Sequence, residues 1–274
     1  MNQLIYLLFA TVLLAGCSKK MTENVVPETD MVTATETEAA EHELPMPAWS
    51  YAGETGPDSW GELDESYASC VNGSEQSPIN IEFSQVETQK TIEKVETQYE
   101  PTTFSMINNG HTIQVNSSTE NNKMLLDKTE YQLVQYHFHT PSEHQFNGKQ
   151  YAMELHLVHQ NDAGELAVLG LMIQEGKANE QLQSVWEAMP KEKTEEEIAV
   201  AEAINLQELL PEEKSFLYYN GSLTTPPCSE EVKWVIYEQP IEMSKEQIEA
   251  FQQIFPHHNH RPVQPLNGRE VIKN

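Results

Sequence analysis

The chain has 274 residues, enough for one large domain or two small ones, and 38% of them are hydrophobic. Its 43 acidic residues outnumber 16 basic ones, giving a formal net charge of −27. A surface of that sign repels a phosphate backbone and argues against nucleic acid as a partner. The same charge suits a solvated surface, with a saline habitat as the narrower alternative.

From the N-terminus, Leu4 to Leu14 is nearly all apolar. It is too short to span a bilayer and has the length of a signal-peptide core. The run ends in Leu14-Ala15-Gly16-Cys17, which resembles the lipobox of bacterial lipoproteins. That resemblance implies a signal peptide over residues 1–16, cleavage before Cys17 and a lipid on that cysteine. It also implies export to the periplasmic or cell-surface side of a membrane held through the anchor. Ser18 points to the outer membrane in a Gram-negative host. One departure is that no Lys or Arg precedes the run, whereas Lys19 and Lys20 follow the cysteine. Residues 17–46 are rich in Thr, Glu and Ala without apolar periodicity, and are expected to form a flexible acidic tether. The rest, residues 47–274, is expected to be one domain. It keeps 14 basic and 36 acidic residues, a net charge of −22.

Within that domain, strands are expected at Thr112–Val115, Glu130–Thr140, Met153–His159, Leu166–Ile173 and Val232–Gln239, all enriched in β-branched or aromatic residues. Asn109-Gly110 and Asn147-Gly148 supply turns between runs. One helix is expected from Asn179 to Met189, stopped by Pro190. A second opens on the capping-box pattern Ser244-Lys-Glu-Gln247 and reaches Ile254. These elements predict a mostly β domain: a large central mixed or antiparallel sheet with short peripheral helices. With Cys17 assigned to lipid, Cys70 and Cys228 remain, and an oxidising compartment makes them a disulfide candidate.

The histidines carry the chemistry. In Gln135-Tyr136-His137-Phe138-His139 the two-residue period puts both imidazoles on one face of a strand and the aromatics on the other. In Glu154-Leu155-His156-Leu157-Val158-His159, Glu154, His156 and Val158 share a face, and His159 points the opposite way. If the two strands lie side by side, His156 is a third nitrogen ligand. Three protein ligands leave one tetrahedral position free, the arrangement of a catalytic zinc rather than a structural one.

These runs, with others in order, resemble the α-carbonic anhydrases. The motifs are Gln76-Ser77-Pro78-Ile79, Asn108-Asn109-Gly110-His111, Gln135-x-His137-x-His139, Ser142-Glu143-His144, Glu154 to His159, Tyr219-x-Gly221-Ser222-Leu223-Thr224-Thr225-Pro226-Pro227 and Arg261-Pro262-x-Gln264-Pro265-Leu266. The resemblance spans residues 47–274. It implies zinc on His137, His139 and His156, hydroxide attack on carbon dioxide, and release of bicarbonate. Thr224 would orient the hydroxide by donating its own proton to Glu143. The Thr224 amide and the Thr225 side chain would contact bicarbonate. His111 would shuttle the proton to buffer, since an imidazole titrates near neutrality. Val158, Val168, Leu223, Val232 and Trp234 would form the apolar wall for carbon dioxide.

Ligating histidines give their second N–H to an acceptor. Gln135 would hold His137, Glu154 would hold His156, and the Asn259 carbonyl would hold His139. His144 and Tyr219 would form a structural hydrogen-bonded cluster, and His257, His258 and His260 a solvated surface. Thr140, Gln114 and His260 depart from residues common in vertebrate members, and Thr140 and Gln114 suit the bacterial branch. Monomer and homodimer are both open. Two alternatives stand beside this family. His137-x-His139-x-x-x-Glu143 matches part of a cupin metal motif, but Tyr131 stands where that motif wants glycine. The other is a family member that binds without catalysing, against which the intact His137, His139, His156, Glu143 and Thr224 argue.

Overall fold

The structure is a computed structural model whose described residues are 48–88 and 94–274. The expected signal peptide, Cys17 and the tether through residue 46 lie outside them. In chain order the strands are β1 (Asn80–Ile81), β2 (Glu87–Thr88), β3 (Val95–Gln98), β4 (Phe104–Asn108), β5 (Ile113–Ser117), β6 (Lys123–Leu126) and β7 (Thr129–His139). There follow β8 (Gln145–Phe146), β9 (Met153–Gln160), β10 (Leu166–Glu175), β11 (Ile198–Ala199), β12 (Phe216–Gly221), β13 (Val232–Met243) and β14 (Ile272–Lys273). The helices are short: α1 (Trp60–Leu63), α2 (Ser69–Asn72), α3 (Gln183–Ala188) and α4 (Lys245–Ile254).

Among the described residues, twelve strands form one sheet, ordered β11-β4-β5-β7-β9-β10-β13-β12-β14-β2, with β6 on β7 and β3 on β6. Most pairs are antiparallel, while β10/β13 and β14/β2 are parallel, so the sheet is mixed as expected. The large mixed sheet agrees with the family's expected fold rather than a cupin barrel.

One sheet face carries the larger core, including Tyr136, Phe138, Leu155, Leu157, Leu169 and Leu171. The alternate residues Val158, Val168 and Trp234 belong to a second cluster on the other face. In β7 the alternation changes phase. Tyr131 and Leu133 enter the larger core before the change, and Tyr136 and Phe138 after it. A register irregularity between Leu133 and Gln135 makes the switch and leaves Val134 44% exposed. That bulge turns Gln135, His137 and His139 onto the second face, as bulges beside active sites do.

Helix α4 has both arms of its capping box. Helix α3 is shorter than the expected 179–189, for two reasons. The Asn179 carbonyl, which a first helical turn would use, instead accepts from the Gln247 side chain at 3.0 Å, and the same side chain holds the Asn179 N–H at 2.9 Å. At the other end Met189 precedes Pro190 and is pushed to ψ 116°. The Asn147-Gly148 turn forms with φ of 50° and 75°, the left-handed pair of a tight hairpin.

Candidate active site

Two rows of side chains cross the sheet on the second face. Strand register aligns Gln114, His137, His156, Gly170 and Ile236 in one row. It aligns Asn116, Gln135, Val158, Val168, Trp234 and Tyr219 in the next. Five or six strands thus contribute one residue each, and the wall passes from amides through imidazoles to apolar groups. Gly170 leaves room here, where a Cβ would sit in close contact, 3.4 Å, with both Glu154 Oε1 and Ile236.

His137, His139 and His156 each offer a ring nitrogen, and these atoms lie within 4.8 Å of one another. Each ring spends its other nitrogen on an acceptor. His137 Nδ1 is 2.8 Å from Gln135 Oε1, and His139 Nδ1 is 2.6 Å from the Asn259 carbonyl. His156 Nε2 is 2.8 Å from Glu154 Oε1. The bare nitrogens are therefore Nε2, Nε2 and Nδ1. Burial, with the mutual repulsion of the rings, pushes His137 down to about 3 and His139 well below its usual value. His156 is also lowered, chiefly by burial, with Glu154 opposing. All three rings are neutral at pH 7, as a metal requires. Among the described residues a second group, His144, Glu154 and His156, also converges. Its atoms already share hydrogens at 2.8 Å, so it is a hydrogen-bonded cluster.

Two buried atoms here have no hydrogen-bond partner: His139 Nε2, one of the three bare nitrogens, and Glu143 Oε2 beside it. They are 3.4 Å apart, and Glu143 Oε2 is 3.9 Å from His156 Nδ1. Orphaned buried polar atoms are rare in folded proteins. Three neutral imidazoles with the orphaned Glu143 Oε2 beside them fit a bound cation with a water beside it. Glu143 is fully buried, and its other oxygen accepts the Arg261 N–H at 2.8 Å. Burial raises its carboxyl well above the usual range, while hydrogen-bonding from the Thr224 side chain and the Arg261 amide opposes that rise.

The family model described as eukaryotic-type carbonic anhydrase matches residues 55–274. The chain belongs to the carbonic anhydrase family. It is 44% identical over 227 residues to a carbonic anhydrase of Klebsiella pneumoniae, covering 82% of this chain and 90% of that one. A Nostoc carbonic anhydrase is 43% identical over 227 residues, covering 82% and 85%. Among solved structures, the alpha-carbonic anhydrase of Thermovibrio ammonificans in complex with the inhibitor sulfanilamide aligns with a TM-score of 0.80 and 41% identity. That alignment covers 82% of this chain and 99% of the other. The protein is therefore a carbonic anhydrase, an enzyme of carbon dioxide hydration, and its His-rich centre is a site that could hold a metal ion.

In this carbonic anhydrase fold the residues singled out by sequence come together. Val158, Val168, Val232 and Trp234 form one apolar cluster with Leu223 packed against it, and Trp234 lies 4.9 Å from the His156 ring. Thr224 is buried and Thr225 part-exposed, in the loop after β12. Cys70 and Cys228 are bridged, tying α2 to that loop. His159 faces the larger core and bonds Tyr99 OH at 2.9 Å, away from the site. His257 and His258 are exposed, and His260 part-buried.

Three contributions carried no signal in the local pattern. His111 stacks on Trp49 at 3.7 Å and 8°, beside a cleft of about 430 Å³. Burial, then Lys193, lowers its pKa from the usual value. Asn259 does more than hold His139: its side chain accepts the Thr140 N–H and donates to the Phe138 and His111 carbonyls. Arg261 is buried and donates to Gln76 Oε1, the Ser77 carbonyl and the Cys70 carbonyl, so its side chain pins the N-terminal segment while its amide pins Glu143.

Proposed function

We propose that the resident metal is zinc, held by His137, His139 and His156, and that His111 exports the proton. The observation that carries this is the convergence of three bare, neutral imidazole nitrogens beside the orphaned Glu143 Oε2. When bound, zinc supplies, as in carbonic anhydrases generally, a water that ionises near neutral pH and attacks as hydroxide.

The chain's own residues then act around it. Gln135, Glu154 and the Asn259 carbonyl fix each ring so that its bare nitrogen faces one point. Glu143 is an acceptor for the Thr224 hydroxyl, which leaves the Thr224 oxygen free to accept from the nucleophile and orient it. The Thr224 amide and Thr225 receive the bicarbonate oxygens. Val158, Val168, Leu223, Val232 and Trp234 keep water from the place where carbon dioxide waits. His111 takes up the proton at the mouth and passes it to buffer.

Removal of metal by a chelator, with readdition of zinc or other divalent ions one at a time, tests the assignment. Zinc restores carbon dioxide hydration to the stripped protein; full restoration by another ion and none by zinc refutes it. We also propose that the chain is exported and anchored through lipid on Cys17. Mass analysis of the N-terminal peptide from membranes should find a modified Cys17 and no residues 1–16.

A further inference from the structure

On the larger-core face of the sheet, away from the histidines, a cleft of about 500 Å³ opens between the start of β3, the residues leading into β12, and β13. Hydrogen bonds fix its walls. Thr97 Oγ1 donates to Gln207 Oε1 at 3.1 Å, tying β3 to the 206–209 turn. The Asn274 side chain accepts the Phe216 N–H at 2.7 Å and donates to the Lys214 carbonyl at 3.3 Å. On the β3 side, the Asp127 N–H holds the Lys94 carbonyl at 3.2 Å.

Donors dominate this cleft. Tyr237 lines it with only 3% of its surface exposed, and among the described residues its hydroxyl finds no hydrogen-bond partner. Burial raises its pKa above the usual value, so the hydroxyl keeps its proton at neutral pH. In a chain of 43 acids and 16 bases, Lys94 and Lys214 both stand here. Neither reaches a carboxylate, whether of Glu96 or of the terminal Asn274, within ion-pair distance. Lys214 Nζ lies 5.8 Å over the Tyr237 ring, on the side of the cleft that Tyr237 lines. Gln207, its oxygen taken by Thr97, has amide hydrogens to offer. A buried hydroxyl without a partner is costly. Water would satisfy it, but would leave both ammonium groups without a counter-charge in contact.

We propose that this cleft is a binding site for a small organic carboxylate, separate from the metal centre. The carboxylate accepts from the Tyr237 hydroxyl and lies between the Lys94 and Lys214 ammonium groups, while its apolar body rests on Val95 and Phe216. A carboxylate matches these donors because it only accepts, and charge strengthens each bond. Glu96 opposes it by like charge. The sheet separates the cleft from the histidines, since Tyr237 and Trp234 lie on opposite faces of β13. A ligand here touches no group of the active site.

Benzoate is the probe, followed on the zinc-loaded protein through the backbone amide NMR signals of Thr97, Phe216 and Tyr237. Reading those amides keeps this site apart from any benzoate that reaches the histidines. The signals should move saturably, with half-saturation on the order of 1 mM for a ligand of this size. Tyr237→Phe should raise that concentration about tenfold, the effect of one hydrogen bond to a charged acceptor. Lys214→Gln should raise it about threefold and flatten its salt dependence, whereas Glu96→Gln should lower it. Lys149→Gln alters an exposed lysine outside the cleft and should change nothing. Benzamide, the neutral isostere, should leave the three signals in place. Bicarbonate lacks the apolar body and should bind about tenfold more weakly. Benzoate that moves none of these amides, benzamide that moves them equally, or bicarbonate that binds as tightly overturns the proposal. So does an unaltered affinity in Tyr237→Phe. Should that variant not fold, the exposed Lys214 and Glu96 still decide, since unchanged affinity in both of their variants refutes the site.

Discussion

Replacing Cys70 and Cys228 together by alanine separates what the bridge contributes to stability from what it contributes to the site. The bridge joins positions 158 apart. On the chain-entropy model, closing such a loop restricts the unfolded chain by about 5 kcal/mol. Both sulfurs sit in a small cluster with Trp60 and Tyr67, so truncation adds about 1 kcal/mol of lost packing. Two neighbouring bonds survive, because they use main-chain acceptors: Arg261 Nη2 to the Cys70 carbonyl and Gln76 Nε2 to the Cys228 carbonyl. Stability should therefore fall by about 5–6 kcal/mol, or roughly 10–20 °C in Tm for a domain of this size. By the same reasoning kcat/KM should fall less than about tenfold, since the Thr224 loop keeps those tethers. Denaturant unfolding of the zinc-saturated proteins without reductant gives the first quantity, and hydration kinetics the second. A stability loss under about 2 kcal/mol would refute the loop-closure reasoning. Activity lost while stability is kept would refute the role given to Arg261 and Gln76.

His111→Ala should slow kcat in dilute buffer, leave kcat/KM nearly unchanged, and regain turnover with concentrated imidazole; unaffected turnover, or no rescue, counts against a shuttle. Glu143→Gln keeps the shape but replaces the acceptor for Thr224, and kcat should drop by roughly 10²–10³, the range for one preorganised group at a reacting centre; a loss below threefold would remove Glu143 from that role. Gln135→Ala should weaken zinc binding by about 10–100-fold in a competition titration, and unchanged affinity would deny that it orients His137. His159 is fully buried and held at about 4, against 6.5 for the free side chain. The unfolded chain therefore binds a proton that the native state refuses, and this residue's share of stability, about 3 kcal/mol, is present above pH 6.5 and lost as pH falls toward 4. Comparing pH-dependent unfolding of the wild type and His159→Gln checks it, because the variant should lose that part of the slope and an identical slope would contradict it.

Much of the site was legible because strand periodicity is strict. It placed His137, His139 and His156 on one face and Leu155, Leu157 and His159 on the other, and the register between β7 and β9 then aligned His137 with His156. The acceptors for all three rings followed from ordered motifs and from what a ligating imidazole needs. The phase change at Val134 was not legible, since a bulge depends on pairing with the neighbouring strand and leaves no mark in local composition. Helix α3 fell short for a similar reason: Gln247, 68 positions away, takes the Asn179 main-chain groups. Trp49 on His111, and Arg261 joining Cys70, Ser77 and Glu143, are contacts across long sequence separations. No spacing rule encodes them.

The most direct measurement is zinc quantified on the same sample as carbon dioxide hydration, for the wild-type protein and for His156→Ala. One zinc per chain with rapid hydration is expected in the first, and loss of both in the second, with the fold retained by circular dichroism. A His156→Ala protein that keeps full zinc occupancy and full activity would contradict the site as assigned.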